Sequence, residues 1–413
     1  MKKIYKVSSI VIALSCALNF TTCSKNIVKA ASDIDIQDDS SSEIDAYESS
    51  VEVNDELSTQ VDIIAEDDSI NRIVAPGYEA VEAYLDEQWD LRSFQGVALV
   101  AQGNEIKFAK AYGYADADDN IENILTTRFA IASNTKQFTA AAIMQLVEQG
   151  KVNLDDTIDK YFPEYKDAGK ITVRELLQMR SGIVDYLNDP IIYMQDEESL
   201  RILDDYRNKA YFDEYVSDAR WSADVILNNL YLSELQFEPG QAYDYCNTNY
   251  YLLGLIIEQV SGISYENYLE ENIFKPCMMQ STSMVAEESD AKGHGSAESG
   301  EIVVNPQFTF AAGNIYSNVY DLLRWERMFH KGDIVSESSY NEMVTPSIDS
   351  GYGLGLIISD GIIRHSGVID GFNSYTEYDQ YRDITIIVLE NYDPSLSLLE
   401  AKYEGAMIRG LIE

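Results

Sequence analysis

Hydrophobic and polar positions change their rhythm several times along the chain. Residues 7–20 form a mostly apolar run. Residues 32–73 scatter single Ile and Val residues among Asp, Glu, Ser and Asn with neither helical nor alternating period, a pattern that predicts no packed structure. Two β-rich runs, 97–101 and 106–111, then flank Gly103-Asn104 as in a hairpin. After Phe129 the spacing becomes helical, with Phe138, Ala142 and Leu146 four residues apart and Gly150 as the stop. The middle, to about residue 345, alternates helical stretches with turn clusters. Strands return at 353–358, 361–365, 374–378 and 384–389, before a helical stretch at 397–408. The predicted fold class is α/β of the α+β kind: an antiparallel sheet built from both ends of the domain and flanked by helices, plus an all-helical subdomain. Pro76-Gly77 marks where the globular part begins, so the expected division is 1–31, 32–73 and 74–413.

Charge sharpens this division. The 413 residues carry 30 Lys plus Arg against 70 Asp plus Glu, a formal charge of −40. Residues 1–31 hold five Lys and no acid, and residues 32–71 hold fourteen acids and no base, so the remaining 25 basic and 56 acidic residues leave 72–413 at −31. Such a surface repels polyphosphate, which excludes a nucleic-acid partner. The basic start, the apolar run and the small residues Ala30 and Ala31 predict an export signal cleaved near those alanines, hence a secreted or extracytoplasmic protein. Fourteen apolar-run residues are too few for a membrane-spanning helix, which needs about 17 to 25, so no transmembrane span is expected in the mature chain. An uncleaved anchor, or lipid attachment at Cys23, is the alternative. The acidic stretch 32–73 is expected to be a disordered, solvated spacer.

Only Cys246 and Cys277 remain beyond the signal, too few for a disulfide framework. There is no CxxC and no HExxH, and neither a metal nor a cofactor is expected.

Candidate chemistry rests on three short motifs. No GxSxG occurs, which removes the usual nucleophile elbow. Ser-x-x-Lys occurs twice, and in a helix it puts a hydroxyl and an amine on one face. Ser133-Asn134-Thr135-Lys136 follows the apolar Phe129-Ala130-Ile131-Ala132 and opens the helical run, where free N–H groups favour negative charge. Ser289-Asp290-Ala291-Lys292 lies among acids and reads as an exposed loop. Of the Tyr-x-Asn matches, at Tyr186, Tyr206, Tyr245 and Tyr265, only Tyr245-Cys246-Asn247 stands between a turn at Pro239-Gly240 and an apolar helix. Of two His-x-Gly matches, His365-Ser366-Gly367 ends a predicted strand, whereas His330-Lys331-Gly332 does not.

In this order the motifs resemble those of the penicillin-recognising serine hydrolases: class C β-lactamases and the related D-alanyl-D-alanine carboxypeptidases, esterases and D-aminopeptidases. The resemblance runs from about Gly96 to Leu389. It includes the stretches at 172–177, 180–183, 312–317 and 351–355. It implies a β-lactamase/penicillin-binding-like fold, with Ser133 as nucleophile, Lys136 as the neighbour that lowers local pKa values, and Tyr245 as a general base in its phenolate form. Asn247 would orient Lys136 and bind the substrate amide. The backbone N–H groups of Ser133 and Val368 would form the oxyanion hole, and His365, Ser366 and Gly367 would bind substrate. Two departures stand out. Cys246 replaces a serine common in the family, and is expected to be a small filler. His365 stands where the β-lactamases carry Lys, which moves the expectation toward the carboxypeptidase, esterase and aminopeptidase branches; as a cation it would bind a substrate carboxylate. Arg364 should point to the opposite face. The expected activity is acyl transfer from a D-alanyl peptide, such as a cell-wall peptide, or a related amide or ester. A β-lactamase, a broad esterase and a non-catalytic surface protein are the rivals.

Overall fold

The computed structural model describes residues 70–187, 222–293, 306–369, 371–392 and 401–412. Its centre is a seven-stranded antiparallel sheet in the order β1-β3-β2-β11-β10-β9-β8. Three strands come from the amino-terminal side: β1 (Arg72–Val74), β2 (Gly96–Gln102) and β3 (Glu105–Tyr112). The short strands β4 (Tyr114–Asp116) and β5 (Ile121–Glu122) form one small ribbon. Another is made by β6 (Phe129–Ala130) and β7 (Tyr316–Ser317). The carboxyl-terminal side supplies β8 (Ile357–Ser359), β9 (Ile362–Ile369), β10 (Phe372–Asp379) and β11 (Ile384–Glu390). The seam is the β2–β11 pair, with Leu99 opposite Ile387 and Val97 opposite Leu389. The expected sheet from both ends is what forms.

Side-chain alternation gives this sheet two buried faces. Ala98, Val100, Ile386 and Val388 pack on one side with helices α1 (Glu79–Asp90) and α10 (Ala401–Leu411). Val97, Leu99, Ile387 and Leu389 face the other side and the larger core. That core holds α2 (Thr135–Glu148), α3 (Val173–Leu177), α4 (Ala223–Leu232), α5 (Asn247–Ser261), α6 (Tyr265–Leu269), α7 (Pro306–Thr309), α8 (Val319–Lys331) and α9 (Glu337–Met343). Helix α2 is enclosed nearly all round, including the polar Lys136, Gln137 and Thr139. Its Gln137 accepts from the Trp325 indole at 2.8 Å, and its Thr139 bonds Ala311 O at 2.8 Å. A buried helix that carries polar groups must supply each with a partner, so α2 is locked in one rotation and depth.

Two boundaries differ from expectation. Strand β1 straddles the division placed between 73 and 74, because Ile73 and Val74 pair with Ala109 and Phe108 at the sheet edge. Of the predicted strand 353–358, only residues 357 and 358 pair, in β8, which runs on to Ser359. The rest is a buried loop in which Gly355, at φ +77°, passes under α2: a side chain there would stand 2.8 Å from the Lys136 carbonyl. Apolar runs in buried loops cannot be told from strands by period alone.

Candidate active site

The turn that carries Ser133 is fixed before the helix begins. Strand β6 pairs with β7, and Ile131 N donates to Ile315 O at 2.9 Å. Ala132 then takes a left-handed conformation, φ +45°, which costs a non-glycine residue about 1–2 kcal/mol. Ser374 on β10 holds the turn in place: its Oγ donates to Ile131 O at 2.6 Å and accepts from Asn134 Nδ2 at 2.7 Å. Ser133 therefore sits in a single 3₁₀ turn, Ala132–Asn134, at the head of α2.

One turn on, Lys136 is wholly buried, and its Nζ lies 2.9 Å from Ser133 Oγ, 2.8 Å from Asn247 Oδ1 and 2.6 Å from Ala312 O. Burial lowers its pKa from 10.5 to about 7, against smaller opposing pulls from Asp185 and Cys246. All three contacts are oxygens that accept from Nζ, two carbonyls and the serine hydroxyl, so the amine that has lost one proton turns its lone pair toward Ser133 Oγ only by giving up that donated bond. Tyr245 is partly buried and hydrogen-bonded to Ser133, with its ring centroid 5.0 Å from Lys136 Nζ. Burial pushes its phenol well above the usual tyrosine range, outweighing the hydroxyl bond from Ser133. The expectation of a phenolate is thus overturned. Separating charge between the phenol and the amine costs free energy to the extent that the fold shields the pair from water.

Asn247 opens α5, and its position depends on a residue the motif search passed over. Asp185 Oδ2 accepts from Asn247 Nδ2 at 2.8 Å and from its backbone N–H at 3.1 Å. The only signal for it was its place two residues beyond the quoted Arg180-Ser181-Gly182-Ile183 stretch. Cys246 caps α5 as a buried thiol that donates to Ile183 O at 3.3 Å, and burial raises its pKa. It is a filler, as expected, and Cys246 and Cys277 do not pair.

Strand β9 forms the opposite wall. Beyond Arg364 no strand among the described residues pairs with it on the β8 side, because β8 pairs only with residues 362–364. Gly367 faces Ser133: a Cβ there would stand 2.8 Å from Ser133 N, 2.6 Å from Ser374 Oγ, and closer still to Ile131 O. Val368, next on the strand, is 48% exposed. His365 is buried, and its Nδ1 donates to Ser366 O at 2.7 Å, which leaves Nε2 to accept from the Tyr352 phenol at 3.1 Å. Burial, with the Lys136 charge adding to it, lowers its pKa to about 3. A cationic His365 is therefore corrected to a neutral one, whose ring centroid lies 6.3 Å from that of Tyr245. Arg364 points to the other face, into a cleft with Asp379, Arg382 and Arg409.

The decoys lie elsewhere. Ser289 is on an exposed turn. His330 is buried in α8, bonded to Glu326 and Tyr340 and stacked on Tyr378. Among the described residues no group of His, Cys, Asp and Glu is placed to hold a metal, and no helix is long and apolar enough to cross a membrane.

A profile of the Beta-lactamase family matches residues 81–406. The chain belongs to that family. PbpX of Bacillus subtilis (strain 168), which carries the name of a penicillin-binding protein, is 28% identical over 312 residues, 74% of this chain and 72% of its own. Protein flp of Staphylococcus aureus (strain MW2) is 27% identical over 315 residues, 71% of this chain; the match spans 58% of that longer protein, less than two thirds of it. The D-amino acid amidase of Ochrobactrum anthropi SV3, in complex with L-phenylalanine, superposes with a TM-score of 0.67 at 26% identity, covering 82% of this chain and 98% of its own. The family is one of serine hydrolases on the β-lactamase and penicillin-binding fold, amidases among them.

Proposed function

We propose that the protein is an exported serine hydrolase that forms an acyl-enzyme on Ser133 and acts on D-alanyl peptides or related amides and esters. The observation that carries this reading is the buried Lys136 amine, with a pKa near 7, held between Ser133 Oγ and Asn247 Oδ1. Neutral Lys136 takes the hydroxyl proton as Ser133 Oγ attacks the substrate carbonyl. The oxyanion that develops is received by the backbone N–H groups of Ser133 and Val368; in such a hole one lost donor costs about 100- to 1,000-fold in rate. The protonated phenol of Tyr245 gives its proton to the leaving nitrogen or oxygen as the carbonyl bond to it breaks, and recovers one by way of Lys136. Water then attacks the ester, its proton returns along the same groups, and Ser133 is released. Asn247 binds the substrate amide as well as the lysine.

Within this reading, His365 favours amides and esters whose leaving part is uncharged. A neutral imidazole already bonded at both nitrogens offers no cation to a terminal carboxylate. The amidase of Ochrobactrum anthropi supports the same branch.

The test is incubation with a labelled penicillin and with a chromogenic ester, comparing the wild type with Ser133→Ala. Slow-released label indicates a penicillin-binding peptidase, rapid lactam turnover a β-lactamase, and ester cleavage alone an esterase. Absence of any Ser133-dependent signal would favour a non-catalytic binding protein and sink the proposal.

A further inference from the structure

Asp185 lies in the loop 181–187 that is laced to the first turn of α5. Ser181 Oγ donates to Asn249 Oδ1 at 2.6 Å, Tyr186 N donates to Thr248 Oγ1 at 3.0 Å, and Thr248 Oγ1 donates to Val184 O at 2.7 Å. Asp185 itself is 5% exposed, and its other oxygen, Oδ1, accepts from Leu187 N at 2.8 Å. An Asn side chain is nearly symmetric in shape, so only its partners decide which end points where. A carboxylate can only accept, and it therefore draws the NH₂ end of Asn247 and leaves the amide oxygen for Lys136. The same oxygen takes the first free N–H of α5, whose cap residue Cys246 makes no side-chain capping bond.

We propose that Asp185 is a positioning residue of the Ser133–Lys136 pair: through Asn247 it aims an acceptor at the lysine, and its charge balances the ammonium formed when Lys136 takes the serine proton. The inference rests on the hydrolase reading given above. Among the described residues, the groups that face Lys136 include the Ala312 carbonyl and the side chains of Ser133, Tyr245, Tyr250, Cys246, Asn247, His365 and Asp185. Of these, Asp185 is the one whose ionic charge favours the ammonium, since the Tyr245 phenol, the Tyr250 phenol and the Cys246 thiol are held protonated by burial and His365 is neutral. Two hydrogen bonds and one amide separate carboxylate from amine, roughly 7 Å; at an effective dielectric near 20 their attraction displaces a titration by a little under about two pH units.

The experiment is the acylation rate with a fluorescent penicillin or chromogenic ester from pH 5 to 9. In the wild type the rate rises with pH through about 7 as Lys136 loses its proton. In Asp185→Asn this acid limb moves down by about one to two pH units, while the plateau rate falls about 10- to 100-fold, because the ammonium formed in the reaction has lost its counter-charge. Asp185→Glu keeps the charge and leaves the limb within about 0.3 units of the wild type, and Asp185→Ser, which also removes the charge, carries the same expected displacement should Asp185→Asn not fold. A purely structural role would lower the rate at every pH without moving the limb. That result, or a limb displaced equally in the charged and uncharged variants, overturns the inference. A wild type that shows no Ser133-dependent acylation overturns the underlying function instead.

Discussion

Burial of Glu404 converts a packing detail into a measurable dependence of stability on pH. The residue sits on α10 with no accessible surface, and neither carboxyl oxygen has a well-formed hydrogen bond among the described residues. Loss of water raises its pKa from 4.5 to about 7, against a smaller opposing pull from the Tyr84 phenol of α1. An acid that holds its proton more tightly when folded contributes stability that is fully present below the unfolded pKa, and that is lost as pH rises through the folded one. Here the window runs from about pH 4.5 to above 7. At 1.36 kcal/mol per pH unit, the whole displacement is worth roughly 3 kcal/mol. Glu404→Gln has the same shape and no charge to bury. The expected outcome in urea denaturation is near-equal stability of the two proteins at pH 4.5, and a variant about 3 kcal/mol more stable than the wild type at pH 8.5. Because the comparison subtracts every other titrating group, a difference that stays constant across pH would refute the reasoning.

Three further substitutions probe the site. Gly367→Ala places a methyl against Ser133 N and Ile131 O, and should cost at least about 100-fold in acylation rate with circular dichroism unchanged; a loss under tenfold would mean that β9 and the nucleophile turn part easily. Cys246→Ser should retain acylation within about threefold, because a hydroxyl can donate to Ile183 O as the thiol does, and the buried thiol of the native protein should resist alkylation. For a substrate with a free carboxylate, KM should stay flat from pH 5.5 to 8 in the wild type and in His365→Gln alike, since His365 titrates at about 3; a wild-type KM that climbs tenfold, and flattens in the variant, would restore the cation.

Much of this architecture was readable from residue pattern. The β2–β3 hairpin followed from two runs around Gly103-Asn104, and the sheet from strands clustered at both ends of the domain. Ser133 was separable from Ser289, and His365 from His330, because apolar flanks distinguish a buried helix start or strand from an exposed turn or a helix interior. Asp185 was not legible, since its partner Asn247 lies far along the chain and a lone acid has no period. Ionisation states were equally hidden. Sequence names a tyrosine, a lysine and a histidine, but it is enclosure among α2, α5 and β9 that raises the pKa of the first and lowers those of the other two, Lys136 to about 7 and His365 to about 3. Residues 353–356 show the converse failure, in which a hydrophobic stretch looks like a strand and is a loop shaped to the underside of α2.

The β2–β11 seam governs when the molecule can first work. Contacts between residues so remote in the chain are entropically expensive to close and slow to form. Ser133, Lys136 and Tyr245 are all in hand once the first two thirds of the polypeptide exists, yet the wall that carries Gly367 and Val368 joins them only when β9, β10 and β11 zip onto β2. A chain that stops before β9 therefore lacks the wall of the proposed oxyanion hole, and on the proposed function it should show no Ser133-dependent acylation.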